Sequence, residues 1–294
     1  NPGFTINLGD VRNKKIRVFP VYDDGQPIII VFGTNAAGIP VIRSYRSTLG
    51  FPVVSIAGLT GVTGDWESGD IDGDGDVDLV ALGRDVAGQA GLYVFRNAGG
   101  TFTRETVELY PALTDPNVDI GDSNADGLQD IFVMLDDGSN TRITKLLVRS
   151  ANSWVVSSAA TDPDQQIARG DGYIVDLEAD ASAEVVAMGA TELNDIGSWY
   201  RRNNSIVGLA MEEVPGGILA RHSTDSAWGD FDADGDLDIY FKGFLGNDLY
   251  LAKYFNQIGD YVKKNTAPPA PINLTSTYDA ARGGYLFTWS APGV

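Results

Sequence analysis

Cysteine is missing from all 294 residues, so neither a disulfide nor a thiolate metal site can belong to this chain. Histidine is nearly missing too: His222 stands alone, and zinc sites usually need His or Cys clusters. Ser223 and Asp225 lie beside His222, but triad members meet in space rather than along one short stretch. His222 is read as capping a strand. No run of about 18 apolar residues occurs, so no helix would span a membrane. Basic residues are scarce: 21 Lys and Arg face 40 Asp and Glu, for a net charge of −19 and a pI near 4.2. That balance argues against nucleic acid and anionic membrane surfaces, which attract basic patches. Sustained helical periodicity is absent as well.

What remains is acid, glycine and short apolar runs. Hydrophobic residues make up 43% of the chain and glycine contributes 35 positions, which suits a turn-rich all-β protein with a substantial core. The acid is concentrated in combs of the pattern D-x-D/N-x-D-G-x-x-D. They are Asp70-Ile-Asp72-Gly-Asp74-Gly-Asp76-Val-Asp78, Asp122-Ser-Asn124-Ala-Asp126-Gly-Leu128-Gln-Asp130 and Asp230-Phe-Asp232-Ala-Asp234-Gly-Asp236-Leu-Asp238. Close carboxylates near a surface repel by about 1–4 kcal/mol per pair. A hard dication inside the loop relieves this, and alternating oxygen ligands with a glycine turn are what Ca²⁺ takes. The bland alternative is a solvated acidic turn.

An EF-hand would need a bidentate Glu at the twelfth loop position and flanking helices. The twelfth positions here are Ala81, Val133 and Phe241. The residues leaving each loop, such as Asp78-Leu-Val-Ala-Leu-Gly83, read as buried strands. The ninth aspartate, Asp78, Asp130 or Asp238, must then close the ion site.

The combs recur in a longer repeat. Asp176-Leu-Glu178-Ala-Asp180-Ala-Ser-Ala-Glu184 sits between the second and third combs, without the glycine, and Tyr22–Ile28 is a poorer copy upstream. Fifth-position residues fall at 24, 74, 126, 180 and 234, a period of 50 to 54. A strand-end glycine recurs at Gly33, Gly83, Gly189 and Gly243. A polar pair or its remnant follows at Arg46-Ser47, Arg96-Asn97, Arg149-Ser150, Arg202-Asn203 and Phe255-Asn256. Each unit therefore reads strand, ion loop, strand, loop, strand, tight turn, strand, the arithmetic of a four-stranded propeller blade. The fold class expected is an all-β propeller. Asn1–Ile6 copies the turn and outer strand of a unit, so five whole blades and one outer strand are expected within 1–264. A full ring of six or seven would need one or two blades before Asn1.

Composition shifts after Lys264. Residues 265–271 form a proline-rich linker, and 272–294 carry Ile272-Asn-Leu274 and Tyr285-Leu-Phe-Thr-Trp289-Ser-Ala-Pro292. This stretch resembles the start of a fibronectin type III domain, a sandwich of about 100 residues. The chain is expected to be part of a larger multidomain protein.

Trp228-Gly-Asp230 through Ile239 and its repeats resemble the FG-GAP or VCBS repeat of integrin α-chain propellers and of secreted bacterial surface proteins. The resemblance covers roughly residues 1–264. It implies a Ca²⁺ on each intact blade loop and adhesive or ligand-binding work at the cell surface. By motif match it assigns side-chain ligation to Asp70, Asp72, Asp74 and Asp78, with Asp76 offering its carbonyl. It likewise assigns Asp122, Asn124, Asp126 and Asp130 with Leu128, and Asp230, Asp232, Asp234 and Asp238 with Asp236. A fourth ion at Asp176, Glu178, Asp180 and Glu184 departs from the pattern, since Ala181 disfavours positive φ. Three ions would bring the net charge from −19 to −13. The weak sites of extracellular modules suit millimolar calcium, where each contributes roughly 0.4–1.4 kcal/mol.

Three function classes follow. The first is a non-enzymatic, calcium-stabilised extracellular propeller that binds a glycan or a protein. The second is the propeller part of a polysaccharide lyase or hydrolase, whose paired carboxylates do not show as a pattern outside the combs. The third is a passive spacer in a surface fibre. Trp199-Tyr-Arg-Arg202 could pass for a sugar-stacking platform, but it holds the place of Tyr93–Arg96 in another unit and reads as an ordinary strand.

Overall fold

A computed structural model describes residues 11–22, 24–46, 52–139, 141–150, 153–156, 167–176, 183–191, 196–201, 222–232, 237–245, 248–254, 272–279 and 284–290. Among them there is no helix, and every sheet is an antiparallel meander. The first sheet runs β1 (Arg12–Pro20), β2 (Pro27–Thr34), β3 (Pro40–Arg46), β4 (Val53–Val54). The second runs β5 (Asp65–Gly69), β6 (Asp78–Arg84), β7 (Ala90–Ala98), β8 (Thr101–Tyr110). The third runs β9 (Thr114–Gly121), β10 (Asp130–Asp136), β11 (Arg142–Ser150), β12 (Ser153–Val156). Three strands are described in each of the next two sheets: β13 (Ile167–Val175), β14 (Glu184–Thr191), β15 (Ile196–Arg201), then β16 (His222–Gly229), β17 (Asp238–Leu245), β18 (Asp248–Tyr254). The fold is all-β and built of blade-like sheets.

Local chemistry repeats with the sheets. The turn from second to third strand is closed by Asn35, Asp85 and Asp137, each seven residues past the ninth comb position. Their side-chain oxygens accept the amides of Ala37, Ala87 and Ser139, all at 2.9 Å. Such Asx turns imitate a backbone turn and free the strands on either side to pair. First strands are bulged at a common place: register shifts at Arg12/Lys15, Ala168/Asp171 and His222/Asp225 on β1, β13 and β16, and opposite Met134/Asp136 on β9. Asn13, Asp115 and Arg169 hold positive φ there. A bulge strengthens strand twist, which lets successive sheets stack as rotated wedges.

The sheets stack face to face, and their first strands meet in chain order, β1 on β5, β5 on β9, β9 on β13 and β13 on β16. Phe32, Trp66 and Phe95 form a stack between the first two sheets, with ring centroids 3.9 and 5.5 Å apart. Trp66 is fully buried, and its Nε1–H donates to the Val62 carbonyl at 3.0 Å. A second core of Val80, Leu82, Leu92, Val94, Ile131, Val133 and Leu135 joins sheets two and three. Phe132, Met134, Val185 and Ala187 join three and four.

First strands are also edge strands with amides left to satisfy. The neighbouring sheet supplies the acceptors. Asp65 accepts from Val118 N at 3.1 Å, Asn117 from Gly172 N at 2.9 Å, and Asp119 from Ile174 N at 2.7 Å. Sheet-to-sheet contact along the inner edge is thus polar and directional, while the faces are apolar.

Several sequence expectations meet the structure here. Trp199–Arg201 lies within β15 as an ordinary strand, and His222 opens β16. The tail forms one antiparallel pair, β19 (Ile272–Asp279) with β20 (Gly284–Ser290). The readings of Asn1–Ile6 as an outer strand and of 265–271 as a linker lie outside the described residues. The polar pair needs a correction of register. Counted from the ninth comb position, Arg149 holds the place of Asn97, not of Arg96.

Strand-end glycines earn their place by close approach. A Cβ at Gly83 would lie 1.4 Å from the Thr63 carbonyl oxygen, and one at Gly33 2.4 Å from that of Arg12. Gly83→Ala must therefore push β6 away from the chain entering β5. A loss of about 1–3 kcal/mol is expected, read as a lower urea midpoint with unchanged slope.

Candidate metal centre

All three combs lie at one corner of their sheets, joining the first strand to the second. Gly69 pairs with Asp78, Gly121 with Asp130 and Gly229 with Asp238, so each comb caps a hairpin whose ninth aspartate is already strand. Val175 pairs with Glu184 in the same way, which puts Glu184 at the ninth position of the degenerate unit.

That ninth carboxylate is the anchor of the corner. Asp78, Asp130 and Asp238 are each fully buried. One oxygen accepts the amide of the second comb residue: Ile71 N at 2.9 Å, Ser123 N at 3.1 Å and Phe231 N at 2.8 Å. The other reaches the third strand, where Asn97 N donates to Asp78 at 2.7 Å and Arg149 N to Asp130 at 2.8 Å.

The first aspartate shapes the loop. Asp70 accepts from Gly73 N at 2.7 Å and Gly75 N at 3.0 Å; Asp122 accepts from Asp126 N at 3.1 Å and Gly127 N at 2.8 Å. The chain turns left-handed at the fourth and sixth positions: φ is 77° at Gly73, 95° at Gly75, 57° at Ala125 and 85° at Gly127. Glycine at the sixth position meets no steric cost there.

Carboxylate oxygens of Asp70, Asp72 and Asp78 all lie within 4.8 Å of one another, as do those of Asp230, Asp232 and Asp238. The second comb has no such trio; Asn124 replaces its third carboxylate and donates to Asp126 Oδ2 at 3.0 Å. Asp74 is not brought into the first cluster. Its Oδ1 accepts Asp76 N at 2.9 Å, as Asp126 accepts Leu128 N at 2.8 Å and Asp24 accepts Gln26 N at 3.1 Å. The first unit has no comb yet keeps this turn, so the fifth aspartate has a turn-forming role of its own. Asp76 points its carboxylate at Gly99 N, 2.8 Å away. Asp234, Asp236, Glu178 and Asp180 lie outside the described residues, while Asp176 directly follows β13.

Sequence reasoning missed Arg96, whose guanidinium reaches Asp72 at 3.2 Å and Glu105 at 3.1 Å. It saw the pair Arg96-Asn97 but not that Asn97 contacts the ninth aspartate. A fixed interval of nineteen residues from Asp78 to Asn97 and from Asp130 to Arg149 was the available signal.

The cluster fits a hard dication. Its donors are all carboxylate oxygens, the set Ca²⁺ prefers. Asp72 Oδ1 is buried and meets no hydrogen-bond donor in the protein. Burial, with smaller help from the carboxylates of Asp72 and Asp74, pushes Asp78 up to about 6 against the opposing amides of Asn97 and Ile71. Asp130 is likewise raised, chiefly by burial. A cation would reverse the balance, because an adjacent positive charge favours the ionised form.

Comparison with known proteins agrees with the repeat. The family model described as FG-GAP-like repeat matches residues 70–133, from the first comb to the strand after the second. Among solved structures, the chain is similar to a point mutant of the Aleuria aurantia lectin in complex with alpha-methyl-L-fucoside. That likeness has 13% identity and a TM-score of 0.46, over 82% of this chain and 75% of the lectin's. No curated protein matches in sequence.

A pH dependence follows. Asp78 moves from an ordinary 3.8 up to about 6, and Asp119, desolvated at the inner edge, from 3.8 up to about 7. Both folded values are raised, so the ion-free fold favours the protonated acids. Their contribution is present below about pH 4 and is lost as pH climbs to about 7. With chelator, the melting temperature should fall across that window. Added calcium should remove the part due to Asp78, and Asp119→Asn the rest, raising stability at pH 8 by on the order of 1 kcal/mol because solvent still reaches Asp119. A chelated melting temperature that climbs from pH 4 to 7 would contradict this.

Proposed function

We propose that this chain is a non-enzymatic, calcium-stabilised propeller that binds a ligand, glycan or protein, outside the cell. The observation that carries the reading is the convergence of carboxylate oxygens of Asp70, Asp72 and Asp78, with Asp72 Oδ1 buried and met by no hydrogen-bond donor, within the segment that matches the FG-GAP-like repeat. Three corners would hold an ion. Asp70, Asp72 and Asp78 would hold the first, Asp230, Asp232 and Asp238 the third, and Asp122, Asn124 and Asp130 a weaker second with fewer charges. The ion neutralises carboxylates that otherwise repel and fixes the hairpin to its blade. Its work is structural.

An extracellular setting suits such sites, since the weak sites of extracellular modules fill at millimolar calcium. The net charge of −19 favours a partner that is neutral or basic over an acidic polymer. No helix among the described residues is long and apolar enough to cross a membrane.

The experiment has two arms. Removing calcium with excess chelator should lower the melting temperature by several degrees, and Asp70→Asn should reproduce part of that loss. A glycan array and an extracellular protein array, probed with and without calcium, should show binding that chelation abolishes. Unchanged melting would overturn the calcium reading. Calcium-dependent melting with hydrolysis or elimination of a polysaccharide would replace the binding role with an enzymatic one.

A further inference from the structure

We propose that Arg149 is a latch that couples the calcium loops of two neighbouring blades, so that occupancy of one strengthens binding at the other. The inference rests on the calcium reading above and goes beyond it by assigning cooperativity to a named residue.

The geometry is a relay of three hydrogen bonds. Asp78, in the first comb, accepts the amide of Ile71 at 2.9 Å. The carbonyl of that same Ile71 accepts Nη1 of Arg149 at 2.7 Å, across the boundary between the second and third sheets. The backbone amide of Arg149 in turn donates to Asp130 of the second comb at 2.8 Å. A continuous path thus joins the ninth carboxylates of two combs. Ile71 is fully buried and Arg149 is 6% exposed, so water competes little for these bonds. The guanidinium also lies over Trp154, 5.8 Å from the ring centroid, which limits where it can move.

The device repeats one blade earlier. Asn97 donates its amide to Asp78 at 2.7 Å and its side-chain Nδ2 to the Val21 carbonyl at 3.0 Å. Val21 stands seven residues before Ile28 as Ile71 stands before Asp78. The first unit lacks the comb, so this copy of the latch joins two blades without joining two ion sites. By the same interval the sequence places Ser47, Asn203 and Gln257, all side chains that can donate, at the corresponding position of the other units. A donor at every copy is what a latch requires; a residue serving only to pack would carry no such restriction.

Coupling follows from shared ordering. An ion in the second comb fixes Asp130, and with it the backbone of Arg149. The guanidinium is then held where the Ile71 carbonyl must be when the first comb is formed. Part of the ordering cost of the first loop is met in advance, which raises its affinity. By linkage the effect is reciprocal.

The test is a calcium titration of the full chain followed by hydrogen exchange, with protection of a peptide spanning 70–78 as the reading of the first comb. Asp122→Asn weakens the second comb without touching Arg149. It should raise the calcium midpoint for protection of 70–78 by about fivefold or more. In an Arg149→Met background, or Arg149→Gln if the former does not fold, Asp122→Asn should leave that midpoint unmoved. Protection of wild-type 70–78 that ignores calcium would sink the calcium reading itself. Calcium-dependent protection whose midpoint Asp122→Asn does not shift, or shifts equally without Arg149, would overturn the latch alone.

Discussion

A carboxylate buried at the start of the second strand organises each blade corner. Asp78 and Asp130 have both oxygens engaged, one by the loop behind and one by the third strand ahead. Burying a charge is costly unless it is paired or hydrogen-bonded. Two amides repay part of that cost, and burial still leaves both groups raised above the ordinary carboxylate range. A nearby positive charge would favour the ionised form of both groups. Comb geometry, strand pairing and the approach of the next blade all depend on where this one side chain sits.

The rest of the fold separates two kinds of contact between sheets. Faces are apolar and meet through residues such as Phe32, Trp66 and Phe95. Edges and corners are polar and meet through single bonds between side chain and backbone, as Val118 N donates to Asp65 and Arg149 donates to the Ile71 carbonyl. Apolar packing supplies most of the free energy but tolerates sliding. The edge bonds have direction and fixed reach, so they set the register of one blade against the next. A propeller needs both, because a small error in wedge rotation would be repeated at every blade.

Much of this was legible in the sequence, for reasons that differ by residue. The comb is visible because so many mutually repelling carboxylates at alternate positions stand out, and the strand after it because Leu79–Leu82 is an unbroken apolar run. Gly83 and Gly33 were visible as a recurring letter, though only coordinates show that a carbonyl oxygen excludes a Cβ. The fifth aspartate was read as a ligand; Asp74 also closes a turn, as Asp24 does in a unit with no comb. An aspartate serves either role, and the pattern alone does not separate them. The trio at the first and third combs likewise depends on how side chains converge rather than on their spacing, whereas its absence at the second follows from Asn124, a letter visible in the sequence.

Residues that act between blades were the least legible. Arg149 lies 78 positions from its acceptor, Ile71, and Asn97 lies 76 from Val21. No local periodicity reports a bond of that span. Their chemistry also varies, arginine in one copy and asparagine in another, because the acceptor is a carbonyl that any donor of sufficient reach can satisfy. A repeat protein can therefore keep an interaction while changing the residue that makes it. Aligning such repeats by residue identity, which pairs Arg96 with Arg149, misplaces the contact by one position. Aligning them by distance from the buried aspartate recovers it. The carboxylate is fixed by partners on both sides, the comb loop behind it and the third strand ahead.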